Sequence, residues 1–222
     1  MIRSVVLLFA CMIGFSQYSH SQHEYMLWAK ASVDGKIVKP LKWNVELNSR
    51  FGSTGLETFF PQVGFEYKVM KWLRPSIEYR YVLDKDRYGN FLAGNRLNFN
   101  LGLRSSIDRW KVKGRFRYQY AFNSFASDEA VDLDFDQAVR TKFGVEYDIN
   151  NSIFSPTFTA ELFYNPVYGL QSPGFDKIRL TFGSALERDG PHDVSFKYQL
   201  DKRFDYSRDL RHVLSLSYGY SL

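Results

Sequence analysis

From Trp110 to Phe122 the chain reads WKVKGRFRYQYAF, a bulky apolar residue alternating with a basic or polar one along the whole stretch. Side chains on an extended strand alternate between faces, so Trp110, Val112, Gly114, Phe116, Tyr118, Tyr120 and Phe122 share one side. Lys111, Lys113, Arg115, Arg117, Gln119 and Asn123 share the other. Two environments of opposite polarity must lie against the two faces. One candidate is nucleic acid, since interleaved aromatic and basic side chains can stack bases and neutralise phosphates. Lys113-Gly114 opens like an RNA-recognition signature, but Arg115 stands where that signature needs an aromatic residue. A half-buried strand of a soluble protein is the second candidate, and a strand between lipid and a polar interior is the third.

The pattern recurs, and its recurrence separates these readings. Leu41, Trp43, Val45 and Leu47 alternate with polar residues, as do Val63, Phe65, Tyr67 and Val69, then Ile77, Tyr79, Tyr81 and Leu83, then Leu97, Phe99, Leu101 and Leu103. Later repeats centre on Phe143, Phe158, Leu180, Phe196 and Leu216. These are about ten strands of roughly ten residues each, the length a tilted strand needs to cross a bilayer. Aromatic residues make up 18% of the chain, with 15 Tyr and 20 Phe; the mean hydropathy of −0.33 argues against helical membrane spans, and no uninterrupted apolar run reaches the roughly 18 residues one needs, which leaves a barrel open. The net charge of +5 comes from 29 basic against 24 acidic residues, so its placement matters more than its sum.

The N-terminus predicts the compartment. Arg3, the apolar run from Val5 to Phe15 and the small residues flanking His20 form a secretory signal peptide over residues 1–21, leaving 22–222 as the barrel. The only cysteine, Cys11, lies inside that run, so the mature chain is expected to leave the cytoplasm without disulfides. A lipoprotein reading of Leu8-Phe9-Ala10-Cys11 fits poorly because Phe9 is too large.

Connection lengths distinguish a membrane barrel from a soluble β-sandwich, which would also alternate. Brief turns are expected near Met70 to Leu73, Ser106 to Arg109, Asp148 to Ser152 and Arg188 to His192, with long polar loops at 52–58, 84–94, 123–136, 165–175 and 202–210. Short turns at one rim and long loops at the other describe an outer-membrane barrel with the short rim periplasmic and the long loops extracellular. Trp43, Trp72 and Trp110 fall beside the short connections, where an aromatic girdle would sit. The sequence thus predicts an all-β antiparallel transmembrane barrel of about 10 to 12 strands. Ten strands run from Leu41 to the end. Met26 to Val38 also reads as extended, but its alternation is weak and would raise the count to an odd eleven, so ten or twelve is the expected total.

Trp28, Leu47-Asn48-Ser49-Arg50-Phe51, Ser76-Ile77-Glu78-Tyr79-Arg80-Tyr81, Asn95-Arg96-Leu97-Asn98 and Arg115-Phe116-Arg117-Tyr118 together resemble an outer-membrane β-barrel family of Bacteroidota-type bacteria, domain of unknown function 2490. Where that family carries an acidic-His-Arg triplet, this chain has Gly94-Asn95-Arg96. The resemblance implies a fold and a location and brings no activity.

A search for catalytic chemistry yields little. After signal removal His23, His192 and His212 remain, and alternation puts His212 on the apolar face while Ser215 and Ser217 face the other way. His192 sits beside Pro191 in a short turn. The acidic loop containing Asp128, Glu129, Asp132, Asp134 and Asp136 lacks the glycine and spacing of a calcium loop. The reading is therefore of a non-enzymatic barrel without a cofactor, in contact with outer-membrane lipids and not with nucleic acid, its protein partners unspecified. Inward positions carry a basic cluster of Arg96, Arg104, Lys113, Arg115, Arg117, Arg140 and Lys142, and an acidic set of Glu46, Glu66, Glu78, Glu146 and Glu161. Unpaired charge in a narrow barrel is costly, so these groups are expected to pair across the lumen, giving a plugged barrel or a narrow anion-preferring pore. Two other functions stay open: a lipid-modifying hydrolase within the barrel, and binding through the long loops.

Overall fold

The computed structural model describes residues 23–86, 88–123, 137–166, 174–186, 190–204 and 210–222. The signal-peptide segment 1–21 and the acidic loop at 124–136 lie outside the described residues. Eleven strands follow one another: β1 (His23–Val38), β2 (Leu41–Gly52), β3 (Gly55–Tyr67), β4 (Leu73–Lys85), β5 (Phe91–Ile107), β6 (Trp110–Asn123), β7 (Gln137–Tyr147), β8 (Phe154–Asn165), β9 (Gly174–Leu186), β10 (His192–Arg203) and β11 (Leu210–Ser221). Each pairs with the next in antiparallel register, and β1 closes the sheet onto β11.

The eleventh strand corrects the expected count. Met26 to Val38 belongs to β1, a full member of the wall, pairing parallel with β11 from His23 against Leu210 to Asp34 against Ser221. Because the strand number is odd, the closing pair must run in the same direction. The weak alternation has a local cause. Alanines at 29 and 31 take outward positions, while Met26 is buried and Trp28 faces inward with Lys30.

Two loops also differ from expectation. The stretch 52–58 holds only the turn Ser53-Thr54, with Gly55 at φ 90° opening β3, because Glu57 and Thr58 are already in the sheet. Strands likewise absorb most of 84–94. Between them the Asp86 carboxylate accepts backbone N–H bonds from Tyr88 and Asn90, both at 2.8 Å. Three long connections at that rim remain, β6–β7, β8–β9 and β10–β11. At the opposite rim the turns are as short as Lys39-Pro40 and Asp108-Arg109, the latter with Asp108 at φ 52°, a left-handed conformation that Asp tolerates in hairpins.

The polarity of a water-soluble protein is inverted here. Along β5 and β6, Asn98 is fully buried beside Phe99 at 46% exposure, and Arg117 is 5% exposed beside Phe116 at 51%. Every strand presents at least one large exposed hydrophobic outward, and the buried set is rich in Arg, Glu, Asp, Asn and Gln. Among the described residues, one cluster of buried hydrophobics, Phe60, Val82 and Ala121 with Leu92 against it, sits near the long-loop end.

Candidate functional site

The inward positions form a continuous polar wall, and pairing within it follows strand neighbourhood. Glu78 on β4 accepts from Arg117 on β6 at 2.8 and 2.9 Å and from Asn98 and Asn100 on β5 at 3.2 and 3.0 Å. Glu161 on β8 takes Arg115 at 2.6 Å and Arg140 at 3.0 Å. Glu146 takes Lys111 at 3.0 Å and Lys113 at 2.6 Å, Glu66 takes Arg74 at 3.3 Å and Arg104 at 3.0 Å, and Glu46 takes Lys30 at 3.4 Å. All five carboxylates expected inside are therefore engaged. Their partners come from adjacent or next-but-one strands, so the pairs run along the wall and not across the lumen as expected. The reason is reach: on a pleated sheet same-face neighbours on adjacent strands lie about 5 Å apart, much closer than the opposite wall.

Of the basic cluster, Arg104, Lys113, Arg115, Arg117 and Arg140 are in these pairs, and Arg96 lines the interior at the level described next. Lys142 differs. It faces the interior yet makes no hydrogen bond or ion pair with the described residues.

One layer of the interior was not foreseen. Trp28, Phe60 and Phe163 point inward from β1, β3 and β8, and cations stack on their rings: Arg50 over Trp28 at 4.2 Å, Arg80 over Phe60 at 4.2 Å, Arg140 and Lys177 over Phe163 at 4.4 and 4.5 Å, and Arg179 over Trp28 at 4.8 Å. Asp201 fixes Arg179 bidentately, both bonds 2.6 Å. The void at this level measures about 70 Å³ although residues of every strand except β10 line it. Almost the whole cross-section is filled, leaving room for only a few waters.

Toward the short-turn rim the interior opens into a cavity of about 280 Å³ against this layer and one of about 430 Å³ beyond. Nine basic side chains (Lys30, Arg50, Arg80, Arg115, Arg117, Arg140, Lys142, Arg179 and Lys197) line the inner cavity against three carboxylates, Glu46, Glu78 and Glu161. Beyond the layer, at the long-loop rim, Glu57, Asp84, Asp86, Lys85 and Arg211 surround a cavity of about 550 Å³. The Asp86 carboxyl there is held below the usual range: desolvation opposes ionisation, and the hydrogen bonds from Asn90, Tyr88 and Gly89 together outweigh it.

Trp43, Trp72 and Trp110 gather at the short-turn rim, whereas Trp28 stands in the interior layer. Trp72 and Trp110 are about half exposed, Trp110 leaning on Tyr147 with ring centroids 4.7 Å apart. Trp43 lies over Gly35 of β1, where an added Cβ would come within 2.9 Å of its ring nitrogen. His23, His192 and His212 lie outside the barrel wall. Tyr198 and His23 hydrogen-bond His212 at 2.6 and 3.0 Å and His192 meets Tyr218 at 2.8 Å, whereas Ser215 and Ser217 line the interior.

Fold and interior together define a closed β-barrel of inverted polarity, apolar outside and charged within, divided by a cation–aromatic layer. The chain belongs to a family described as a protein of unknown function (DUF2490), whose model matches residues 26–210 and so reaches from β1 to the start of β11. No curated protein and no solved structure matches it.

Proposed function

We propose that this is an outer-membrane barrel protein without catalytic activity, its lumen filled at the Trp28, Phe60 and Phe163 layer and open below it as a basic vestibule facing the periplasm. One observation carries the membrane reading: an exposed apolar band runs around all eleven strands while Arg, Glu and Asp fill the interior. In water such a band costs about 25 cal/mol per Å² of apolar surface, and soluble monomers rarely expose patches beyond a few hundred Å². Lipid removes that cost, and a closed barrel leaves no strand edge unpaired within it. Trp43, Trp72 and Trp110 supply an interfacial girdle at the short rim. Of the two states a charged lumen allows, the filled one is favoured by the small void at the cation–aromatic layer. Surplus cations below that layer make the vestibule anion-preferring.

The test is fractionation followed by gel migration. The mature protein should be recovered in the outer-membrane fraction and should migrate differently before and after boiling, because a barrel resists detergent until heated. Recovery as a soluble periplasmic species refutes the reading.

A further inference from the structure

The two cavities on the short-turn side share Lys30, Arg115, Thr181, Lys197, Ser217 and Lys142 as a common wall. Arg115 is neutralised by Glu161 and Lys30 by Glu46. The half-buried ammonium groups of Lys142 on β7 and Lys197 on β10 make no hydrogen bond or ion pair among the described residues; Glu161, directly across from Lys142 on β8, is already held by Arg115 and Arg140, and Glu46 by Lys30. Thr181, 5% exposed, and Ser217 also make no hydrogen bond among the described residues, and the hydroxyl of Thr159 on the outer cavity is buried without a partner. A half-buried ammonium that shares its facing carboxylate with two arginines keeps unbalanced positive charge, and a buried hydroxyl without a partner is disfavoured. Two spare ammonium groups and spare hydroxyl donors around one cavity complement a compact anion with several oxygen acceptors, and Lys serves phosphate as a point charge without fixed geometry.

We propose that this cavity binds a phosphate-type oxyanion, with Lys142 and Lys197 as its counter-charges and Thr181 and Ser217 as hydroxyl donors. The anion enters from the short-turn rim, past Asp34 and Asp193, because the cation–aromatic layer fills the other side. The carboxylates lie at the mouth and the uncommitted cations deeper, so binding is strongest at depth. The proposal rests on the membrane reading only for the compartment that supplies the anion. Its test uses the folded full chain in neutral detergent, so binding can fail while membrane insertion stands, and the reverse.

Inorganic pyrophosphate, inorganic phosphate and glycerol 3-phosphate, the last standing for a lipid headgroup, are titrated calorimetrically at low salt against the native protein, Lys142→Gln with Lys197→Gln, and the rim control Lys36→Gln. The native protein and the control should bind one anion per chain and show a raised Tm with it. The double variant should lose at least tenfold in affinity and the Tm rise, while keeping the heat-modifiable migration of a closed barrel and an unliganded Tm no lower than native. Preference for glycerol 3-phosphate over both inorganic anions assigns the site to a headgroup, and the opposite preference assigns it to a free anion. Absence of binding by the native protein, equal binding by the double variant, or equal loss in the rim control overturns the proposal. Should the double variant fail to fold, Thr181→Val with Ser217→Ala replaces it, with a weaker but measurable loss expected.

Discussion

Glu161 concentrates the energetics of the wall in one residue. Its carboxylate is 3% exposed and receives Arg115 and Arg140 from the two preceding strands. Replacing one member of a buried ion group leaves its partners charged and dehydrated, which costs about 3–5 kcal/mol, whereas a surface pair costs about 1 or less. Glu161→Gln should therefore destabilise the barrel by roughly that larger amount, read as a shift of the urea midpoint in detergent micelles. A change of under about 1 kcal/mol would mean that lumen water screens the group. Which residues face inward was legible from alternation alone, since Arg115, Arg117 and Glu161 occupy the polar face of sequences whose other face is aromatic. The aromatic layer was not. Phe60 follows Phe59 and so reads as apolar on both faces, Phe163 follows the apolar Leu162, and nothing local tells an inward ring from an irregularity. The signal is a cation at the same-face position of a neighbouring strand, Arg80 for Phe60 and Arg140 for Phe163, visible only once register is known.

Among the elements, β1 carries the largest departure from the sequence reading. Its pairing with β11 places Ala29 opposite Leu216, both outward. Ala29→Cys with Leu216→Cys should crosslink under mild oxidation of the folded barrel, seen as altered migration after boiling without reductant. Leu47→Cys with Leu216→Cys, joining β2 to β11, should not. The reverse outcome would mean a ten-strand barrel with β1 outside the wall. The ten strands from Leu41 were legible because each has bulky residues on one face and polar ones on the other. β1 was obscured because its outward positions include alanine. The loops at 52–58 and 84–94 were overestimated for a related reason: strand ends beyond an apolar band are rich in polar residues, so Thr58 and Asp84 look like loop residues while still pairing with each other across β3 and β4.

For the whole molecule, an apolar exterior, an engaged charge wall and a filled layer belong together. A narrow barrel cannot leave so many charges unpaired, and pairing them along the wall leaves the centre to be filled by Trp28, Phe60, Phe163 and the cations stacked on them. Planar-bilayer recording under a salt gradient compares the native protein with Trp28→Ala, Phe60→Ala and Phe163→Ala combined. The native barrel should insert without a steady open-channel current. The triple variant, verified as heat-modifiable, should conduct with a reversal potential on the anion side, because Arg50, Arg80, Arg140 and Arg179 then line an open passage. A native protein that already conducts as an open channel, or a triple variant that prefers cations, would contradict a lumen closed by that layer and lined by surplus basic charge.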